Sequence, residues 1–320
     1  MFCTLFLNAE LKFLVLMQID VKVDSPLVGQ NLQDHISTYL GPFFVNEGAS
    51  FLLDRDVRLQ DLRNYFSAGT GPMTSSGVHA MGFFATDKAK SEGDGHWPDI
   101  QLIYSGLSAY KYFPRDFAHA FHVKQDIYEK YYAHAVGKDS FLIIVSLARP
   151  AQSGEIVLKS KNPTDEPLID PRYLQNADDV QRLVQGVKKT VQLVETTPSF
   201  RKVNATFTQE SFPGCENVEF RSDEYWECFV RHLSITLHHI VGTCAMGGSD
   251  EAVVDPELRV RGVQNVRVID ASVMPVVPVG NTNAPTVMIG ERGAQFILDL
   301  WDRNDDDETT VNSFKFETMN

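Results

Sequence analysis

The most regular stretch of the chain lies at residues 176–195. Val180, Leu183, Val184, Val187 and Val191 recur at the three- and four-residue spacing of a single helix face, which predicts an amphipathic helix. Asn176 or Asp178 is its expected cap, because a short side-chain oxygen there can accept first-turn amides. A second pattern is continuous rather than periodic: residues 141–147 (FLIIVSL) read as a strand buried on both faces. The turn Pro150 to Gly154 and the alternating Glu155-Ile156-Val157-Leu158-Lys159 follow, so a hairpin is expected. Further strands are expected at 19–23 and at Asp99 to Tyr104. A second hairpin is expected over 258–270, turning at Gly262. Leu59 to Phe66 predicts a short helix ended by Gly69-Thr70-Gly71-Pro72, and residues 87–96 a polar surface loop. Pro285 to Leu300 predicts a closing helix, with proline in the first turn where its missing N–H costs nothing. Residues 1–18 show no clear period.

These strands and helices mix without strict βαβ alternation. The expected class is therefore α+β (mixed α/β), an antiparallel or mixed sheet beside helices. The 320 residues, 43% hydrophobic, suffice for one large domain or two. A formal net charge of −13 repels phosphate backbones, so nucleic acid is not an expected partner. No stretch approaches the roughly 20 apolar residues that span a bilayer. Met1 to Leu7 is apolar but short, has no basic region and no small-residue cleavage site, and is not read as a signal peptide.

Four cysteines, Cys3, Cys215, Cys228 and Cys244, form no CxxC, which argues against a thiolate zinc site. Cys215 and Cys228 stand thirteen apart, either as a disulfide or as two free thiols. Asn204-Ala205-Thr206 is a glycosylation sequon, which shifts the expected compartment toward secretion. Asn162-Pro163-Thr164 is disqualified by its proline.

Chemistry concentrates in residues 238–288. His238-His239 is followed by Gly242 and Gly247, where backbone can approach a ligand closely. A metal site from His232, His238 and His239 has no acidic residue at a ligand spacing such as HExxH. Two readings remain open on the residues alone. The histidines are hydrogen-bonded structural groups, or one imidazole, whose free pKa lies near neutrality, is a general base.

His239-Ile240-Val241-Gly242-Thr243-Cys244-Ala245-Met246-Gly247, then Asp255-Pro256-Glu257-Leu258-Arg259-Val260, Asp270-Ala271-Ser272-Val273-Met274-Pro275 and Gly280 to Glu291 form an ordered series. It resembles the C-terminal signature of the glucose-methanol-choline oxidoreductases, in the flavour of their arthropod glucose-dehydrogenase-like branch. Weaker echoes are Val28 to His35 (VGxNLQDH), Gly71 to Ser75, Arg149 to Leu158 and Ile169 to Leu174. The resemblance covers about residues 19–300.

It implies an FAD-dependent oxidation of a primary or secondary alcohol, such as a sugar, with oxygen or a quinone as electron acceptor. By the same resemblance, His239 takes the hydroxyl proton while hydride leaves for flavin N5. Asn281 hydrogen-bonds the substrate oxygen but cannot act as a base. Backbone at Asp270 and Ala271 approaches the FAD pyrophosphate, and Thr282, Asn283, Ala284, Pro285 and Thr286 lie against the isoalloxazine. His238 stands where the family often has an aromatic residue and is expected to pack or to support its neighbour.

The family opens on a strand–GxGxxG–helix unit that seats the pyrophosphate on a helix N-terminus. No GxGxxG occurs in this chain, and Gly69-Thr70-Gly71 lacks the third glycine. The chain is thus expected to be the C-terminal half to two-thirds of such a protein. The resemblance divides it into a remnant of the FAD-binding domain at 1–36, a substrate domain built on an antiparallel sheet at 37–235, a return to the FAD-binding domain at 236–301 and an acidic, disordered tail at 302–320. The alternative expectation is a catalytically inert remnant that only binds a ligand or partner.

Overall fold

A computed structural model describes residues 7–8 and 21–305. In chain order the strands are β1 (Leu7–Asn8), β2 (Val23–Asp24), β3 (Ile36–Phe44), β4 (Ala80–Phe84), β5 (Ile100–Ser105), β6 (Ser140–Leu147), β7 (Glu155–Val157), β8 (Leu168–Asp170), β9 (Thr206–Phe207) and β10 (Ser234–Thr236). The helices are α1 (Leu53–Asp56), α2 (Leu59–Ala68), α3 (Asp87–Ser91), α4 (Phe113–Phe121), α5 (Gln125–Tyr132), α6 (Ala177–Thr196), α7 (Pro198–Arg201), α8 (Asp223–Leu233) and α9 (Asn283–Asp305). The chain forms two compact units. One comprises Met1–Asp34, Ser153–Pro171 and His239–Asn320; the other His35–Gln152 and Arg172–His238.

The second unit carries the antiparallel sheet that the sequence predicts. Its strand order is β10-β3-β6-β5-β4, with β9 also paired to β3. β6 is the continuous apolar run, and the structure buries seven of its eight residues between β3 and β5. On the sheet lies α6, with Leu183, Val187, Val191 and Val194 buried. Each such aliphatic side chain contributes about 1.5–3 kcal/mol on full burial. Gly186 lets the helix approach, since a Cβ there would stand 2.9 Å from a Val145 methyl. Of the two candidate caps, Asn176 is the one used: Oδ1 accepts the amides of Asp178 (2.8 Å) and Asp179 (3.2 Å). Asp99, fully buried, accepts from the Thr86 amide and hydroxyl and from Arg182, so its charge is fully partnered.

The first unit is built on valine. Val28, Val241, Val253, Val254, Val260, Val268, Val273 and Val277 pack with Leu258, Met274 and Ile289 of α9. Irregular backbone, rather than long strands, brings them together.

Several expectations change. β6 and β7 do not form a hairpin: β6 pairs with β3 and β5, whereas β7 pairs with β8. The hairpin over 258–270 shrinks to a single bridge between Arg259 and Arg267, flanked by Val260 N–H to Val266 O and Val268 N–H to Leu258 O. Residues 87–91 are helical because the Thr86 hydroxyl accepts the Ala89 amide and nucleates the turn. The expected strand at 19–23 appears as Val23–Asp24, with Ile19 and Asp20 outside the described residues. α9 runs on to Asp305, past the expected start of the tail at 302, because no glycine or proline interrupts it there. Residues 306–320 lie outside the described residues.

The boundary of the middle segment also differs. The sequence reading runs it unbroken through 37–235, but residues 153–171 belong to the first unit. Gly154 and Leu32 exchange two backbone hydrogen bonds (2.8 and 2.9 Å), and the Ile156 amide donates to Gly29 O at 2.7 Å. A Cβ at Gly29, whose φ is +80°, would meet that Ile156 carbonyl oxygen at 2.2 Å.

Candidate active site

Three stretches of the first unit converge on His239. The first is the polar loop 29–34. The second is 239–247. The third is 270–281, leading into α9. Val241 and Gln33 exchange backbone hydrogen bonds of 2.9 and 3.0 Å, and the Gly29 amide donates to Thr243 O at 2.8 Å. Cys244 and Met246 amides donate to the carbonyls of Ser272 and Val273, both at 2.9 Å. Side chains of the loop close the third side. Asn31 Nδ2 and Gln33 Nε2 each donate to Pro275 O at 3.0 Å, and Gln33 Oε1 accepts the Val277 amide at 3.0 Å. Gly242 is required at this crossing. Its φ is +98°, and a Cβ would lie 2.2 Å from Asn31 O.

His239 is half-buried, and its own amide donates to Oδ1 of the buried Asp34 at 2.8 Å. Asn281 Nδ2 stands 3.4 Å from His239 Nε2. The contact is a hydrogen bond from the Asn281 amide in the tautomer whose Nε2 carries no proton, and that tautomer is the one in which Nε2 can accept one. The two residues are 42 apart in sequence and meet at one exposed spot. An imidazole lone pair beside an amide can receive a hydroxyl proton and stabilise the oxygen left behind.

The other predicted site residues fall on the same unit. Asp270 is exposed and its Oδ1 accepts the Ser272 amide at 2.8 Å, capping a short 3₁₀ turn that contains Ala271. Thr282 is buried, with its carbonyl accepting both the amide (3.0 Å) and the hydroxyl (2.7 Å) of Thr286. Asn283 and Ala284 are exposed at the start of α9, while Pro285 and Thr286 are half-buried. His238 belongs to the other unit. It is exposed, in a left-handed conformation (φ 59°), with its amide on Thr236 Oγ1 at 2.8 Å. The expected packing role is thus corrected: its turn conformation carries the side chain to solvent. His232 lies against Cys215 and Cys228, whose sulfurs are joined in a disulfide, so the three offer no thiolate to a metal. A cleft of about 950 Å³ in the second unit is lined by Phe44, Arg55, His134 and Lys138 and holds none of the predicted site residues.

Sequence reasoning missed Asn31, Gln33 and Asp34 as working parts. The signal lies in the family-like run Val28 to His35, but a linear motif does not show which distant backbone its side chains will hold.

Residues 150–290 match the family model for GMC oxidoreductase. The chain is 35% identical over 292 residues to glucose dehydrogenase [FAD, quinone] of Drosophila melanogaster, covering 89% of this chain and 43% of that protein. This chain belongs to the GMC oxidoreductase family. It is 35% identical to alcohol dehydrogenase [acceptor] of Pseudomonas putida over 86% of this chain and 45% of that one. To ecdysone oxidase of Spodoptera littoralis it is 32% identical, over 87% and 44%. The GMC fold is also seen in a formate oxidase of Aspergillus oryzae, with a TM-score of 0.74 at 24% identity, covering 92% of this chain and 51% of that one. The chain spans less than half the length of these curated relatives.

Proposed function

We propose that the protein of which this chain forms the catalytic-histidine part oxidises a CH–OH group of a small alcohol or sugar with FAD. The observation that carries the reading is the 3.4 Å approach of Asn281 Nδ2 to His239 Nε2. The substrate hydroxyl donates to His239 Nε2, and the Asn281 amide donates to the same oxygen. As the C–H bond breaks, the hydroxyl proton passes to Nε2 and the oxygen becomes the carbonyl of the product. Asn281 stabilises the charge that builds on that oxygen, and Asp34 holds the His239 backbone still. Bound FAD would supply the acceptor for the hydride that leaves the carbinol carbon.

The residues here fit part of such a cofactor. α9 is 23 residues long, and its amides before Thr286 have no carbonyl partner within the helix. With Asn283 and Ala284 exposed, this turn offers donors to electronegative atoms of a flavin ring. The stretch from Thr282 to Thr286 and the backbone at Asp270 and Ala271 would hold it. The relatives are named for glucose, alcohol and ecdysone, which supports a CH–OH substrate, and the names quinone and oxidase support electron transfer to a quinone or oxygen. By this reading the first unit belongs to the FAD-binding part, and the sheet of the second to the substrate-binding part.

The test is His239→Ala in the protein supplied with the family's N-terminal FAD segment. Turnover falls by roughly 10²–10⁴, the usual worth of a general base, while flavin content holds. Unchanged turnover would remove His239 from the mechanism.

A further inference from the structure

We propose that Asn204 is an N-glycosylated residue, taking an oligosaccharide from a lipid-pyrophosphate donor in an oxidising secretory compartment. Two independent features support it. The first is the sequon itself and its setting. Asn204-Ala205-Thr206 is the one Asn-X-Ser/Thr triplet in the sequence whose middle residue is not proline. It lies just after α7, where the Asn204 amide donates to Arg201 O at 3.1 Å and φ reaches +51°, a left-handed turn that asparagine tolerates well. That turn leaves Asn204 exposed and buries Ala205 instead. Thr206, also exposed, begins the edge strand β9. Both residues that a glycosyltransferase must read are thus on the surface, and the residue between them is the one that anchors the segment.

The second feature is the disulfide between Cys215 and Cys228 of the same unit, with Cα atoms 5.9 Å apart. Such bonds persist where the redox environment is oxidising, and those compartments also hold the glycan donor. The cysteines and the sequon thus point to one compartment by unrelated chemistry.

The folded structure also tolerates the product. In the transfer, Asn204 Nδ2 bonds to C1 of the first sugar as the C1–O bond to pyrophosphate breaks, and the amide loses one of its two protons. Nδ2 now donates to Asn46 Oδ1 at 2.9 Å. The remaining N–H is enough to keep that bond, and Asn46 is itself exposed, so the sugar meets solvent rather than core.

One digest reads both features. Express the natural full-length coding sequence in eukaryotic cells, and cleave the protein with trypsin without reduction. The peptide 203–221 contains Asn204 and Cys215, and the peptide 222–231 contains Cys228, with no internal lysine or arginine in either. The expected species is the cross-linked pair carrying a glycan, and a glycan-removing amidase converts its Asn204 to Asp. Asn204→Gln and Thr206→Ala abolish the glycan, whereas Thr206→Ser retains it. Asn162 stays unmodified. An Asn204 without glycan in the natural protein, cross-linked or not, overturns the proposal, as does a glycan that persists in Thr206→Ala. Alcohol oxidation by His239 stands or falls separately, since none of these readouts depends on turnover.

Discussion

The carboxylate of Asp34 accepts the backbone amide of His239 at 2.8 Å, across 205 residues of sequence. The contact fixes the backbone of the proposed base rather than its imidazole. Asp34→Ala leaves a half-buried N–H without its acceptor, at a cost of up to about 1–3 kcal/mol. It is expected to lower kcat by about tenfold or more, with the loss in kcat rather than in KM, and to lower the unfolding midpoint. Asp34→Asn keeps an accepting oxygen and is expected to retain most of both. Steady-state kinetics and thermal unfolding of the two variants check this, and equal losses in both would show that the charge, not the hydrogen bond, matters.

Asn281→Ala removes one donor from the oxygen on which charge develops. Turnover is expected to fall about 10–100-fold, the value of a hydrogen bond to a charged group. His238→Ala is expected to change turnover less than about twofold, because that side chain is exposed and its backbone makes the local contact. The ranking His239, then Asn281, then His238 is the measurement; an inactive His238 variant with an active His239 variant would reverse the assignment.

The 320-residue chain alone is expected to bind FAD weakly. The N-terminus of α9 offers donors, but no GxGxxG is present to seat the pyrophosphate. Calorimetric titration is the check, and tight stoichiometric binding would show that the described residues suffice.

Cys228→Ser opens a loop between residues 13 apart. Loss of a crosslink of that length is expected to cost about 2–4 kcal/mol. Chemical unfolding of the variant and of wild type, both without reductant, measures it. Adding reductant should bring wild type toward the variant.

Acid should destabilise the second unit through Asp139. Burial alone would raise its carboxyl, but the Arg55 guanidinium, the Ser50 hydroxyl and the amides of Gly48 and Ser50 hold it below the ordinary carboxylate range. A depressed carboxylate contributes its stability above the unfolded value, about pH 3.9, and loses it as pH falls from there through the folded value. The unfolding midpoint should therefore drop below pH 4. Asp139→Asn should start lower at pH 7 and fall less steeply in that window.

Local patterns in the sequence determined much of this protein. The apolar repeat from Val180 to Val191 specifies α6 and the face it buries, and Asn176 caps it, because helix periodicity and capping act within a few residues. The run at 141–147 specifies a strand covered on both sides. The series from His239 to Glu291 specifies the family. Only tertiary structure decided the partners. Nothing local tells β6 to take β3 and β5 rather than β7, since an apolar strand fits any complementary edge. Likewise the sequence carries a family-like motif at Val28 to His35, but the crossing of Gly242 over Asn31 and the reach of Asp34 to His239 exist only once the valine core brings segments some 200 residues apart together. Which backbone amide a buried carboxylate will satisfy depends on packing in three dimensions, and a linear pattern does not carry it.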